Sequence, residues 1–278
     1  MRLHPLAHAA VLGTLCAFTA FGLFPIVWIV LTSLKPPIDT FAVPPVFLFR
    51  PTIESYAQLF GGGRQLSELG LFLRNSLVIA GLSTVWAVVA ASLSAYSLAR
   101  LRFRGRGLLG FLIIATRMLP PIATAIPTFL LLNRLGLLDT HLGLIAVYSA
   151  INIPFAVWML RGYMDDIPIE LEEAAAIDGC TRLASLARIV LPLVAPGLAA
   201  TTVYTFLLAW NEFALALFLT ARHAATMPIF ILNFVTDDGV QWGPMSAAAT
   251  VMMALPVLFV LVARRYVVRG LLTGALKG

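Results

Sequence analysis

Charge is what this sequence has least of. Only 12% of its 278 residues are Asp, Glu, Lys or Arg, where a soluble domain carries about a quarter. With 60% hydrophobic residues and a mean hydropathy of +0.94, most of the chain must lie in a solvent that does not hydrate it. An ordinary soluble domain is excluded. Lysine is nearly missing: Lys35 and Lys277 are the two, and neither stands in a G-x-x-x-x-G-K-[ST] phosphate loop. ATP hydrolysis by this chain is therefore not expected. Cys16 and Cys180 are the only cysteines, one in an apolar run and one in a polar stretch, which makes neither a disulfide framework nor a metal site. His4, His8, His141 and His223 are scattered and join no nucleophile–base cluster, so nothing supports an enzyme. The net charge of +6 would point to nucleic acid in a soluble protein. Here it is read through the excess of basic residues on the inner side of membrane proteins, and nucleic acid is not an expected partner.

What the sequence has in abundance is long apolar runs. A membrane helix needs about 20 mostly apolar residues. Six windows qualify, roughly 9–34, 73–99, 108–132, 142–163, 193–220 and 244–264. Arg2, His4 and His8 precede the first. It is too long for a signal-peptide core and no A-x-A site follows it, so it reads as a retained span. Pro25, Pro120, Pro121, Pro127, Pro154 and Pro256 interrupt the spans and predict kinks, which neighbouring helices can accommodate. Orientation follows from Lys and Arg in the connections. With the N-terminus inside, twelve lie inside and six outside, Arg117 being left within a span. The short loop of Arg100, Arg102, Arg104 and Arg106 votes most strongly. The expected fold is an all-α, multi-pass integral membrane protein of six transmembrane helices with both termini inside. Its expected parts are residues 1–72 (first helix and an external loop), 73–264 (a five-helix core) and 265–278 (a cytoplasmic tail). The external connection 35–72 is rich in proline and carries Gly61-Gly62-Gly63; it either docks a partner or bridges two helices.

The inner connection 164–192, between spans four and five, is the most informative segment. Pro168 suits a first helical turn, Glu170, Glu172 and Glu173 suit the positive end of a helix dipole, and Gly179 suits a left-handed C-terminal cap. A second short helix is expected from about Thr181 to just before Pro192. Leu171, Ala174 and Ala175 fall at i, i+3 and i+4 and make one small apolar face. A short helix with an apolar stripe and an acidic border, held at the ends of two spans, is suited to insert into a groove.

Glu173, Ala174, Ala175, Gly179, Ile189, Leu191 and Pro192 fit E-A-A-x3-G-x9-I-x-L-P at all seven fixed positions. This resembles the signature loop of permease subunits of bacterial ATP-binding-cassette importers. Ser33-Leu34-Lys35-Pro36, Gly136-Leu137-Leu138-Asp139-Thr140, Trp210-Asn211-Glu212-Phe213 and the C-terminal Gly270–Gly278 are similar to the carbohydrate-uptake branch. Within it, the chain is similar to the six-span partner of the maltose-type permease pair. The resemblance implies a second permease subunit, an ATPase dimer beneath, an extracytoplasmic solute-binding protein, and the lipid bilayer as surroundings. ATP and Mg would be bound by the ATPases and no cofactor by this chain. It implies ATPase coupling through Glu170, Glu173, Ala174, Ala175, Asp178, Gly179, Ile189, Leu191 and Pro192. A C-terminal tail including Gly274, Leu276, Lys277 and Gly278 would reach between the ATPases.

Polar groups inside spans face a cavity or a partner. Arg117, in the middle of the third window, would cost about 2.5–3.5 kcal/mol at a helix centre. Asn152, just before Pro154, and the trio Trp210, Asn211 and Glu212 complete the candidate solute pathway: an aromatic beside an amide and an acid suits sugar hydroxyls. The expected function is an importer permease for a sugar, polyol or sugar-like solute. The alternatives are an ion-gradient carrier, against which stands the lack of an inverted repeat, a permease for a solute such as a glycerol phosphate ester, and a membrane scaffold.

Overall fold

The computed structural model describes the backbone of residues 5–275, with side chains described for 11–63 and 65–262. The chain divides into two compact units, residues 1–70 with 230–254, and residues 71–229 with 255–278.

The first unit opens with α1 (Pro5–Ser33), apolar all round. Phe18 is 77% and Phe21 80% exposed on it, which only lipid or another chain makes tolerable. Its end is tied down: buried Ser33 donates to the Val30 carbonyl at 2.6 Å and shares a 2.8 Å hydrogen bond with the Tyr56 hydroxyl. The short α2 (Pro37–Thr40) follows, then α3 (Glu54–Phe60), which carries Tyr56.

Helix α4 (Gly63–Arg100) has 38 residues. At 1.5 Å per residue it is about 57 Å long, well beyond an apolar bilayer core of about 30 Å. Buried Ser83, Ala87, Ala91 and Ala95 recur every fourth residue along it, the small-residue stripe that lets membrane helices approach closely. The Ser149 hydroxyl donates across to the Ser83 carbonyl at 3.3 Å.

The window expected to form one kinked third span is broken instead. Helix α5 (Arg106–Ala115) tightens into a 3-10 turn at Thr116–Met118, and α6 (Pro121–Arg134) leaves at 95° to it. Leu119 precedes Pro120, and Pro120 precedes Pro121. Both pre-proline residues are driven out of helical space, to ψ 124° and 132°. Arg117 thus sits within a short 3-10 turn just before the break rather than mid-helix, a correction to its expected placement.

Helix α7 (His141–Asp165) is capped by Thr140, whose hydroxyl accepts from the Gly143 N–H at 3.1 Å. The connection beyond it holds α8 (Glu170–Ile177) and α9 (Arg182–Ser185), then a π turn at Leu186–Val190 and α10 (Leu191–Leu193). The second short helix thus continues through Pro192 rather than stopping before it, and Pro168 precedes the first helix by two residues. The chain then bends by 83° into α11 (Ala195–Trp210). Pro196 has no N–H for the Pro192 carbonyl, so the ladder is interrupted there. The Gly197 position lies directly beneath the Tyr163 ring, where a Cβ would collide; only glycine lets α11 lie this close to α7. The fifth window breaks again after Trp210, before α12 (Ala214–Leu219).

The described chain ends with α13 (Met227–Leu232), a two-residue antiparallel pair β1 (Val235–Thr236) and β2 (Gly239–Val240), and α14 (Trp242–Ala275). Among the described residues four helices are long and apolar enough to cross a membrane, or up to six if each bent pair is one span.

Candidate functional site

Two sites lie in the second unit. The first is the connection 164–193. The Gly179 backbone is left-handed, with φ +82°, and lets the chain turn back on α8. The Cys180 N–H donates to the Ala175 carbonyl at 2.9 Å and the Gly179 N–H to Ala176 at 3.1 Å. This pair of reversed bonds satisfies the last carbonyls of the helix. Thr181 caps the next helix, accepting from the Ala184 N–H at 3.3 Å.

None of the α8 residues is fully buried. Glu170, Glu173, Ala174, Asp178 and Gly179 are exposed, Ala175 is half-buried, and Leu171 is 45% exposed. Ile177, which the sequence reading passed over, is 88% exposed and extends the Leu171–Ala174 stripe by another three residues. Of the remaining loop-pattern residues Pro192 is exposed, whereas Ile189 and Leu191 are half-buried, Leu191 against a core that includes Ala95, Leu160 and Val190. The acids divide. Glu172 turns inward: its carboxylate pairs with Arg100 at 2.5 Å and accepts from the Tyr96 hydroxyl at 2.7 Å. Glu170 and Glu173 point outward. Nothing in the sequence alone paired Glu172 with a residue 72 positions earlier.

The second site is a cavity of about 680 Å³ beside the break between α5 and α6. It brings Arg117, Asn152 and Glu212 together, with Thr116, Thr124 and Thr128. Arg117 donates to the Ile151 carbonyl at 2.8 Å, which answers how a charge is tolerated there. Glu212 stands in the break between α11 and α12 and accepts from the Leu215 N–H at 2.9 Å. Asn152 is 1% exposed, and neither its amide nitrogen nor its oxygen has a partner. Trp210 and Asn211 are not on the cavity wall: Trp210 is 1% exposed and stacks on Phe206, and Asn211 donates to its own helix at Leu207.

Opposite in kind is a structural clamp that sequence reading noted only as a motif. Asp139, with φ +52°, accepts from the N–H groups of Arg222, His223 and Ala224 at 3.0–3.2 Å. Burial pushes its carboxyl up, but the N–H groups of Ala224, His223, Ala221 and Arg222 outweigh this and hold it below the usual carboxylate range. Asn75 completes the clamp, donating to the His223 and Ala225 carbonyls at 2.9 Å and meeting the His141 ring at 2.8 Å. In the first unit, Lys35 of the Ser33–Pro36 motif is 3% exposed, its ammonium 4.2 Å from the Trp28 ring. Among the described residues no group of three metal-ligating side chains occurs. Of the tail residues, Leu276, Lys277 and Gly278 lie outside the described residues and Gly274 is described only as backbone in α14.

Residues 83–273 match the family described as the binding-protein-dependent transport system inner membrane component. The chain belongs to this family. The match takes in the whole of the 164–193 connection and the cavity residues Arg117, Asn152 and Glu212. The trehalose/maltose transport system permease protein MalG of Thermococcus litoralis is 37% identical, with 92% of each chain covered. The trehalose transport system permease protein SugB of Mycobacterium tuberculosis is 37% identical, with 97% of each covered. The sulfoquinovosyl glycerol transport system permease protein SmoH of Agrobacterium fabrum is 37% identical, covering 92% of this chain and 90% of that protein. The crystal structure of a bacterial ABC transporter for the acidic polysaccharide alginate shares the fold. Its TM-score is 0.74 at 24% identity, over 94% of this chain and 95% of that one. The resemblance to carbohydrate-uptake permeases is borne out over nearly the full length. The chain is a multi-pass inner-membrane transport component.

Proposed function

We propose that this chain is one of two permease subunits of an ATP-binding-cassette importer for a sugar-type solute. It crosses the membrane six times, counting each bent helix pair as one span, with both ends inside. The observation that carries this reading is the form of α8. Glu173, Ala174 and Ala175 of the loop pattern lie on a helix capped at Gly179, and its Glu173, Ala174 and Ile177 are exposed among the described residues. An exposed apolar stripe with an acidic border fits a groove in an ATPase subunit. The ATPases, with their ATP and Mg, would bind the helix differently in their two states, and only such differential binding can drive a change of access. An extracytoplasmic binding protein would deliver the solute. The tail around Gly274, Leu276, Lys277 and Gly278 would reach toward the ATPases.

The solute class follows from the named relatives and from the cavity. A guanidinium, a carboxylate, three threonines and an amide with both atoms unpartnered offer donors and acceptors together. That set suits a polyhydroxylated, neutral ligand better than a simple ion. Arg117, Asn152 and Glu212 would touch it; Trp210 and Asn211 would hold α11 behind them. The experiment is uptake by the importer reconstituted in vesicles with its ATPases, second permease and binding protein. Glu173→Lys and Gly179→Leu should abolish uptake while insertion into the membrane stays intact. A bulky residue at a left-handed position costs about 1–2 kcal/mol and re-aims the helix. Normal uptake in both variants would remove the coupling role.

A further inference from the structure

The coupling helix α8 has no buried apolar residue of its own. Burial of side chains is what usually fastens a helix to its protein, so something else must hold this one. The geometry points to Glu172 and Arg100 as the positioning pair that fastens α8 to the end of α4, so that α4 moves with the coupling helix although it is not joined to it in sequence. This rests on the coupling reading proposed above.

Four hydrogen bonds make the fastening. The Arg100 Nε donates to Glu172 at 2.5 Å, the Tyr96 hydroxyl at 2.7 Å, and the Ser185 hydroxyl at 3.4 Å. The Arg100 Nη2 donates to the Ile167 carbonyl, in the turn leading into α8, at 2.9 Å. One carboxylate therefore joins three elements, α4, α8 and α9, while Arg100 also grips the approach to α8. The Arg100 and Glu172 side chains are 10% and 9% exposed, dry enough for a hydrogen-bonded charge pair to be rigid and for a lone partner to be disruptive. Arg100 stands in the last turn of α4, where the helix dipole favours a cation.

The consequence is mechanical. Helices α7 and α9–α11 follow the coupling loop because the chain connects them to it. Helix α4 has no such connection, yet through Arg100 it is held at the same point. Its Ala87, Ala91 and Ala95 stripe is fully buried and packs closely against its neighbours. Displacement at α8 is thus passed to three spans rather than two.

The test uses the reconstituted importer with Glu172→Gln, Arg100→Ala, the double variant, and the exchanged pair Arg100→Glu with Glu172→Arg. Solute taken up per ATP hydrolysed is measured on the unlabelled variants, and the spin-label distance between Ile177→Cys and Arg102→Cys is measured separately, after both native cysteines are replaced by serine. Each single variant should lose uptake per ATP on the order of tenfold, the scale at which changes along a coupling path weaken it. The distance distribution should broaden, the double variant should be no worse than the worse single one, and the exchanged pair should recover part of the loss. Glu173→Lys serves as the control. If it uncouples transport while Glu172→Gln and Arg100→Ala keep wild-type uptake and a sharp distance, the fastening is overturned and the coupling role stands. If Glu173→Lys is also wild type, the coupling role itself has failed, and the fastening with it.

Discussion

Asn152 is the residue whose environment fits its chemistry worst. A buried amide with no partner forfeits about 1–3 kcal/mol per unsatisfied group, and Asn152 leaves both of its atoms unmatched at 1% exposure. Such a deficit is kept where function requires it. Asn152→Leu, close in volume and without polar atoms, should therefore raise thermal stability in detergent by about 1–3 kcal/mol and lower solute uptake. A variant that melts lower than wild type, or transports normally, would contradict a solute-facing role. Asn152 was legible as a mid-span amide before Pro154. Arg117 was not: it reads as a charge at a helix centre, whereas the break at Leu119 and Pro120 puts it at a turn with the Ile151 carbonyl in reach. The signal was present in the two consecutive prolines, since each excludes its predecessor from helical backbone.

At the scale of elements, the loop between α6 and α7 is fastened to the segment after α12 by one carboxylate. Asp139 has a lowered pKa in the folded protein, so it contributes stability above its unfolded value of about 3.9, which is lost only as pH falls through the lower folded value. The clamp should hold through mildly acidic pH. Hydrogen exchange at the amides of Arg222, His223 and Ala224 should be slow at pH 5 in the wild type and fast in Asp139→Ala, whose carboxylate is gone. Equal exchange in the two proteins would show that the clamp does not order this segment. The 164–193 connection was the most legible element, because its signals are local: Gly179 is a left-handed cap and Thr181 an N-cap, each acting within a few residues. The backbone partners of Asp139 lie 83–85 positions away, and Arg100 and Tyr96 lie 72 and 76 positions from Glu172; no local propensity carries such pairings.

Orientation belongs to the whole molecule. In the orientation proposed above, with both termini inside, the Arg100–Arg106 loop and α8 would face the cytoplasm, and the β1–β2 turn at Asp237 and Asp238 would face out. Single cysteines at Arg104 and Ile177, in a chain with Cys16 and Cys180 replaced by serine, should react with a membrane-impermeant maleimide only after cells are opened. A cysteine at Asp237 should react in intact cells. The reverse pattern would invert the topology and place α8 where no ATPase can reach it.

Composition and order along the chain determined that this protein lives in a membrane, roughly where its apolar windows lie, and which segment carries a capped acidic helix. Those properties depend on residue types within a few turns, and hydrophobic burial and capping are read at that range. Only the tertiary structure decided that two windows are broken, that Arg117, Asn152 and Glu212 share one cavity while Trp210 does not, and that Glu172 faces Arg100 rather than a partner protein. Each of these depends on which helix packs against which, and apolar spans have too uniform a surface to reveal their neighbours from sequence.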